Sequence, residues 1–320
     1  MADQERTALK QSLQATELPK IKKDTAVITS ERYKTPRSSP LVFHFEPYSF
    51  TSPALRLQDS TIKHEVVSGK DVYIIDDFFI ESEAEELRNF STNATFSKDI
   101  FANNESKVKG ELPDRAMDSK EKWVFFANPP QAIKELYKLM SWLSNEMEAD
   151  ISTLPWEMYD QDICAPAFAT NRVVFKSKES SELGKHKDYD TDEGLSFGIP
   201  VLYAKEPQQL HPSSFPNGSE GKPWLISLMA YATSPAFSTK HGLGTIFCDD
   251  DGKTKMCADS KNMRFVIFEG DIIHSIESAK LPANPDAWRV SYVFKLIVNP
   301  KRKDQSMKKR MQEILQSFQK

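Results

Sequence analysis

Trp288-Arg-Val-Ser-Tyr-Val-Phe-Lys-Leu-Ile-Val298 is the stretch on which the fold reading turns. Trp288, Val290, Tyr292, Phe294 and Leu296 fall on one face of an extended chain, and Arg289 and Ser291 on the other. Such a strand has an apolar face for the core and an inner face that carries a charge. Working outward, residues 165–298 break into short apolar runs separated by turn signals. Strands are predicted at 171–177, 185–189, 195–204, 224–232, 244–248, 253–257, 263–268, 272–277 and 287–298. Asp251-Gly252 marks a hairpin between two of them, and Glu269-Gly270-Asp271 another tight turn. This many strands in this length suit a mainly β, α+β chain built on a double-stranded β-helix, that is, a cupin-like jelly roll. Residues 205–223 read as a rim insertion.

Helices support this core at both ends. Asp71-Val-Tyr-Ile-Ile-Asp-Asp-Phe-Phe-Ile80 reads as a buried strand running into a turn, and Ser82 with Glu85 as the capping box of a helix that follows. Ile133, Leu136, Tyr137, Met140, Leu143 and Met147 recur at helical spacing behind Pro129-Pro130. Residues 91–120 are polar and read as a long loop bordering a cleft. The predicted organisation is a flexible extension over 1–40, a domain over 41–300 with its core at 165–298, and a C-terminal helix over 301–320. Met307, Met311, Ile314, Leu315 and Phe318 form one stripe of that last helix. The stripe can dock on the domain or form a homodimer contact.

Composition excludes several classes. The 320 residues carry a net charge of −4, so there is no basic field for nucleic acid, and the basic run from Lys301 to Arg310 reads as a solvated helix face. The three cysteines, Cys164, Cys248 and Cys257, form no C-x-x-C pair, which argues for a reducing compartment. No secretory signal and no stretch of membrane-spanning length is visible, so the expectation is a soluble, cytoplasmic protein.

Within Gly184-Lys-His-Lys-Asp-Tyr-Asp190, His186 and Asp188 are two apart, which on a strand puts both on one face. Of the six histidines, His274 is the best second imidazole, because the turn and strand of Phe268-Glu-Gly-Asp-Ile-Ile-His-Ser-Ile-Glu277 give it stiff support. Two histidines and one carboxylate on one side of an ion make the facial triad of non-haem Fe(II) oxygenases. Zinc accepts the same donors, so a zinc-dependent hydrolase stays open. Calcium does not: in Asp188-Tyr-Asp190-Thr-Asp192-Glu-Gly194 the glycine falls at the seventh position, and Ile199 stands where a bidentate glutamate is required. Arg289 and Ser291 form a fork and hydroxyl suited to a carboxylate, the alternative being a structural ion pair.

The order His186-x-Asp188, His274, Arg289-x-Ser291 resembles the Fe(II)/2-oxoglutarate-dependent oxygenases. The entry Val-Tyr-Ile-Ile-Asp-Asp-Phe-Phe before an acidic helix is similar to the prolyl 4-hydroxylase-like branch. So are Gly242-Leu-Gly244-Thr245 and the Arg-Phe-Val-Ile-Phe-Glu-Gly-Asp run before His274. The resemblance covers roughly residues 70–298. It implies that His186, Asp188 and His274 hold Fe(II), and that Arg289, Ser291 and Tyr203 meet the far carboxylate of 2-oxoglutarate, with Asn171 as a further polar contact. It also implies that dioxygen is consumed, that succinate and carbon dioxide are formed, and that a protein side chain or small molecule is hydroxylated. Ascorbate is admitted as an added cofactor. Because Asp188 is kept, the halide site of related halogenases is absent and hydroxylation is favoured. The alternative is a non-catalytic jelly-roll binding or scaffold module.

Overall fold

The computed structural model describes residues 21–23, 41–98, 114–117, 125, 128–153, 155–157, 164–166, 168–175, 185–188, 216–281 and 284–319. The chain begins with β1 (Ile21–Lys23), β2 (Leu41–Phe45), α1 (Thr51–Asp59), β3 (Thr61–Val67) and β4 (Lys70–Asp76). Next come α2 (Glu81–Asn93), β5 (Phe96–Lys98), β6 (Asp114–Met117) and α3 (Gln131–Glu146). Then follow β7 (Ala149–Thr153), β8 (Pro155–Glu157), β9 (Cys164–Pro166), β10 (Phe168–Phe175) and β11 (Trp224–Thr233). The chain closes with β12 (Thr245–Cys248), β13 (Thr254–Ala258), β14 (Phe265–Glu269), β15 (Ile273–Ile276), β16 (Asn284–Pro300) and α4 (Met307–Gln316).

A nine-stranded sheet runs β1-β2-β7-β16-β11-β14-β4-β3, with β10 also paired to β16. All of its pairings are antiparallel. A smaller sheet has the order β13-β12-β15. The spine is β16, whose 17 residues carry β11 along one edge and β10 then β7 along the other. The result is a mostly antiparallel β protein with few helices, an arrangement consistent with a jelly roll. β1 pairs with β2, so part of the expected flexible extension adds to the sheet.

Side-chain alternation assigns the two faces of the large sheet. Tyr73 and Ile75 on β4, Leu228 and Ala230 on β11, Phe265 and Ile267 on β14, and Trp288 to Val298 at even positions on β16 share one core with α2, α3 and α4. The intervening residues Val72, Ile74, Met229, Tyr231, Val266 and Phe268 form a second core with Phe247 and Ala258 of the small sheet. Both faces are covered, which is why β11 is buried at every position. The odd positions of β16, Arg289, Ser291 and Lys295, therefore point between the two sheets, and all three are buried.

Helix α3 covers the predicted stripe, with Ile133, Leu136, Tyr137, Met140 and Leu143 buried. The capping expectation at Ser82 is corrected. Helix α2 starts at Glu81, and Glu83 accepts from the Ile80 N–H at 3.1 Å. The cause is Arg56, which engages both Glu83 oxygens at 2.8 and 2.9 Å and holds that carboxylate at the helix start. The tail helix α4 docks on its own chain: Met307, Met311, Ile314 and Leu315 are buried in the main core. That stripe is thus used within the molecule, the first of the two uses expected for it. Lys308 fixes the dock by donating to Glu269 Oε1 and the Gly69 carbonyl, each at 2.6 Å, and Arg310 donates to the Glu146 carbonyl at the end of α3. No helix among the described residues is long and apolar enough to cross a membrane.

Met311→Ala removes a fully buried side chain from this dock and is expected to lower unfolding free energy by about 2–5 kcal/mol in chemical denaturation. A wild-type value would contradict the docking. Burial opposes ionisation of Asp76, but its bonds to Arg264 at 2.7 and 2.9 Å override that and hold the carboxyl below its usual value. Its stabilisation is therefore present above the unfolded value of 3.8 and is lost as pH falls. Asp76→Asn should flatten the acid limb of the stability curve.

Candidate metal centre

The structure brings His186, Asp188 and His274 together between the two sheets. One ligand atom from each lies within 4.8 Å of the others. Asp188 Oδ1 is 3.5 Å from His274 Nε2 and 3.7 Å from His186 Nε2. The imidazole rings are 4.4 Å apart. His274 belongs to β15, opposite Phe247 of β12, and Phe268 meets its ring edge-on at 5.0 Å.

His186 is not on the strand expected over 185–189. It makes a single antiparallel bridge to His274, with reciprocal backbone bonds of 3.0 and 2.9 Å, and residue 188 is a bend. The bend follows from where Asp188 is tied. Its Oδ2 accepts from Ser227 Oγ at 2.6 Å, and its Oδ1 contacts Lys295 Nζ. Ser227 is on β11 and Lys295 on β16, so the carboxylate crosses from the small-sheet edge to the large sheet. The two-residue spacing predicts the convergence correctly, although only one of the two residues is paired as a strand.

Protonation suits a metal. His274 Nδ1 lies 2.9 Å from the Ile272 carbonyl, which can only accept, so Nδ1 carries the proton and Nε2 presents its lone pair to the cluster. Burial pulls His274 down to about 4, so its ring is neutral near pH 7. For Asp188 burial opposes ionisation, but Lys295, then His274 and His186, override it and hold the carboxyl far below the usual range. Two imidazoles and a carboxylate kept anionic are a borderline-hard donor set that fits Fe(II) or Zn(II). A second group, Cys257, Asp259 and Glu277, lies within the same reach. There burial pushes the Cys257 thiol up to about 12, and Lys280 holds Glu277 at 2.7 Å, so its donors are not presented to a metal in the same way.

Arg289 is 1% exposed. Its Nη1 donates to Ser291 Oγ at 3.0 Å, and the guanidinium lies 5.6 Å over the Tyr231 ring. Tyr231 is itself anchored by a 2.6 Å bond between its hydroxyl and Thr245 Oγ1. Arg264, just before β14, is instead paired with Asp76 at 2.7 Å. Asn171 is the Cα partner of Ser291 across the β10–β16 ladder. Tyr203 lies outside the described residues. Gly244, read from its motif, passes so close to β13 that a Cβ there would come 2.6 Å from Cys257 Sγ.

Two site residues escape sequence reasoning. Ser227 sits inside the apolar run Leu225-Ile-Ser-Leu-Met229, and Lys295 inside Val293-Phe-Lys-Leu-Ile297. A polar side chain at a core-facing strand position was the available signal.

No family model and no curated protein matches the chain. Among solved structures, the chain is similar to the non-haem alpha-ketoglutarate-dependent carbocyclase SnoK from nogalamycin biosynthesis. The match covers 79% of this chain and 87% of that chain, at 9% identity and a TM-score of 0.34. A score that low does not establish a shared fold, and the functional reading rests on the residues themselves.

Ser227→Ala removes the bond to Asp188 Oδ2. It is expected to weaken metal affinity about 10- to 100-fold in a direct titration, as losses of ligand-orienting bonds do. Unchanged affinity would show that Ser227 does not orient the carboxylate.

Proposed function

We propose that the chain is an Fe(II)- and 2-oxoglutarate-dependent oxygenase with a double-stranded β-helix core. The observation that supports this best is the convergence of His186, Asp188 and His274 between the sheets, with Arg289 and Ser291 on the same inward face of β16 that carries the Asp188 partner Lys295. His186, Asp188 and His274 hold the metal. Arg289, with Ser291, takes the far carboxylate of the cosubstrate, with Tyr203 and Asn171 as additional polar contacts. The bound iron, with 2-oxoglutarate and dioxygen, supplies oxidising chemistry that no side chain can.

The chain's own residues supply order and dryness. The Ile272 carbonyl fixes the His274 tautomer, Ser227 fixes the rotation of Asp188, and Phe247 and Phe268 wall the imidazole from water. Because a carboxylate fills the third ligand position, the reaction favoured is hydroxylation of a C–H bond, in a protein side chain or a small molecule. The resemblance of the entry strand, the Gly242–Gly244 turn and the run before His274 supports a reading within the prolyl 4-hydroxylase-like branch, and the sparse cysteines support a reducing, cytoplasmic setting. A binding or scaffold module that used the apolar face of α4 for a partner would need a surface that is docked in the main core here.

Purified protein should form succinate from 2-oxoglutarate only when Fe(II) and dioxygen are both present, with ascorbate in the assay, and His186→Ala should abolish this. Succinate formation that survives in His186→Ala, or absence of Fe(II) and 2-oxoglutarate binding under anaerobic conditions, overturns the proposal. Arg289→Met should raise the KM for 2-oxoglutarate by about 10- to 100-fold, the scale of one lost charge-assisted contact. A zinc hydrolase would instead retain zinc and use no dioxygen.

A further inference from the structure

The cation that touches Asp188 in this chain is a protein group. Lys295 Nζ contacts Asp188 Oδ1, the same oxygen that faces both His186 Nε2 and His274 Nε2. The other oxygen is committed to Ser227 Oγ, so the carboxylate cannot turn a fresh oxygen to an incoming ion without breaking that bond. Both partners are buried: the Lys295 side chain is 7% exposed and that of Asp188 3%. Lysine has no acceptor atom, so the ammonium cannot assist a metal as a ligand while it stays charged. A divalent ion reaching the two imidazoles and Oδ1 meets that ammonium at the shared oxygen. Two cations at one carboxylate oxygen in a buried site repel strongly.

We propose that Lys295 is an internal counter-cation that competes with the metal for Asp188, so that metal loading is an exchange of one cation for another. This rests on the reading of His186, Asp188 and His274 as metal ligands. The lysine keeps the buried carboxylate compensated in the metal-free chain, where an unpaired buried charge would be strongly destabilising. The same pairing must be broken for the ion to bind, so part of the metal's affinity is used to displace the ammonium. A flexible four-carbon stem lets Nζ move while the β16 backbone stays in its ladder with β11. Once displaced, the ammonium would remain on the inward face of β16 that also carries Ser291 and Arg289.

The role separates from simple structural support by the sign of one effect. A lysine that merely props the site would, on removal, weaken metal binding; a competitor, on removal, strengthens it. The test is a Mn(II) titration of the metal-free full-length chain, reading free Mn(II) by electron paramagnetic resonance, for wild type, Lys295→Met and His274→Ala. Lys295→Met should bind Mn(II) roughly 10-fold or more tightly than wild type, and His274→Ala should lose the site. In parallel, metal-free Lys295→Met should melt below metal-free wild type, and saturating Mn(II) should narrow the gap. If Lys295→Met does not fold, Lys295→Gln, which keeps a donor to Asp188 without the charge, carries the same expectation. Equal or weaker binding in the lysine variant, with His274→Ala still abolishing it, overturns the exchange and leaves the metal site standing. No Mn(II) binding by wild type or by the lysine variant overturns both.

Discussion

Asp188 is a carboxylate buried where water cannot compensate it, and much of the surrounding architecture can be understood as the means of keeping it charged. Left alone in an apolar interior it would take up a proton. Here one oxygen is bonded to Ser227 on β11, and the other faces Lys295 on β16 and two imidazoles. Those partners come from both sheets, so the charge also ties the sheets together. The bend after His186 fits this: among the described residues 185–188 the backbone pairing is one bridge, and the next inward side chain is held across the gap.

The site depends in turn on the strict two-residue alternation of β16. Its even positions fill the helix-side core and its odd positions bring Arg289, Ser291 and Lys295 to the inter-sheet side. A one-residue slip against β11 would exchange the two sets, burying three polar groups among the helices and removing the cation from Asp188. The length of the ladder, from Trp224 opposite Val298 to Thr233 opposite Arg289, makes such a slip expensive.

The sequence showed the site better than it showed its support. His186 and Asp188 were legible because two ligand types at a spacing of two need little else, and His274 because it follows a turn into a strand. The period of β16 was legible because aromatic and β-branched residues mark one face so plainly. Lys295 and Ser227 were not, because a single polar residue in an apolar run reads as noise until its partner is seen, and that partner is distant in the chain. The capping of α2 departs from its local pattern for a related reason. Ser82 and Glu85 satisfied a local rule, but Arg56 on α1 selects Glu83, and tertiary pairing overrides local preference. The fate of the tail stripe was equally undecidable, since a docking face and a dimer face have the same pattern until the acceptor surface is known.

Lys308 couples the tail helix to the candidate site. Its ammonium bonds Glu269 Oε1, which also accepts the Asp71 N–H, and Glu269 ends β14 just before the turn that leads to Ile272 and His274. Without α4 on the core, Glu269 loses the Lys308 ammonium, and the turn that aims the second imidazole has one anchor fewer. The tail helix and the candidate centre are thus linked through one carboxylate, and a change that lifts α4 from its dock reaches His274 through the β14–β15 turn.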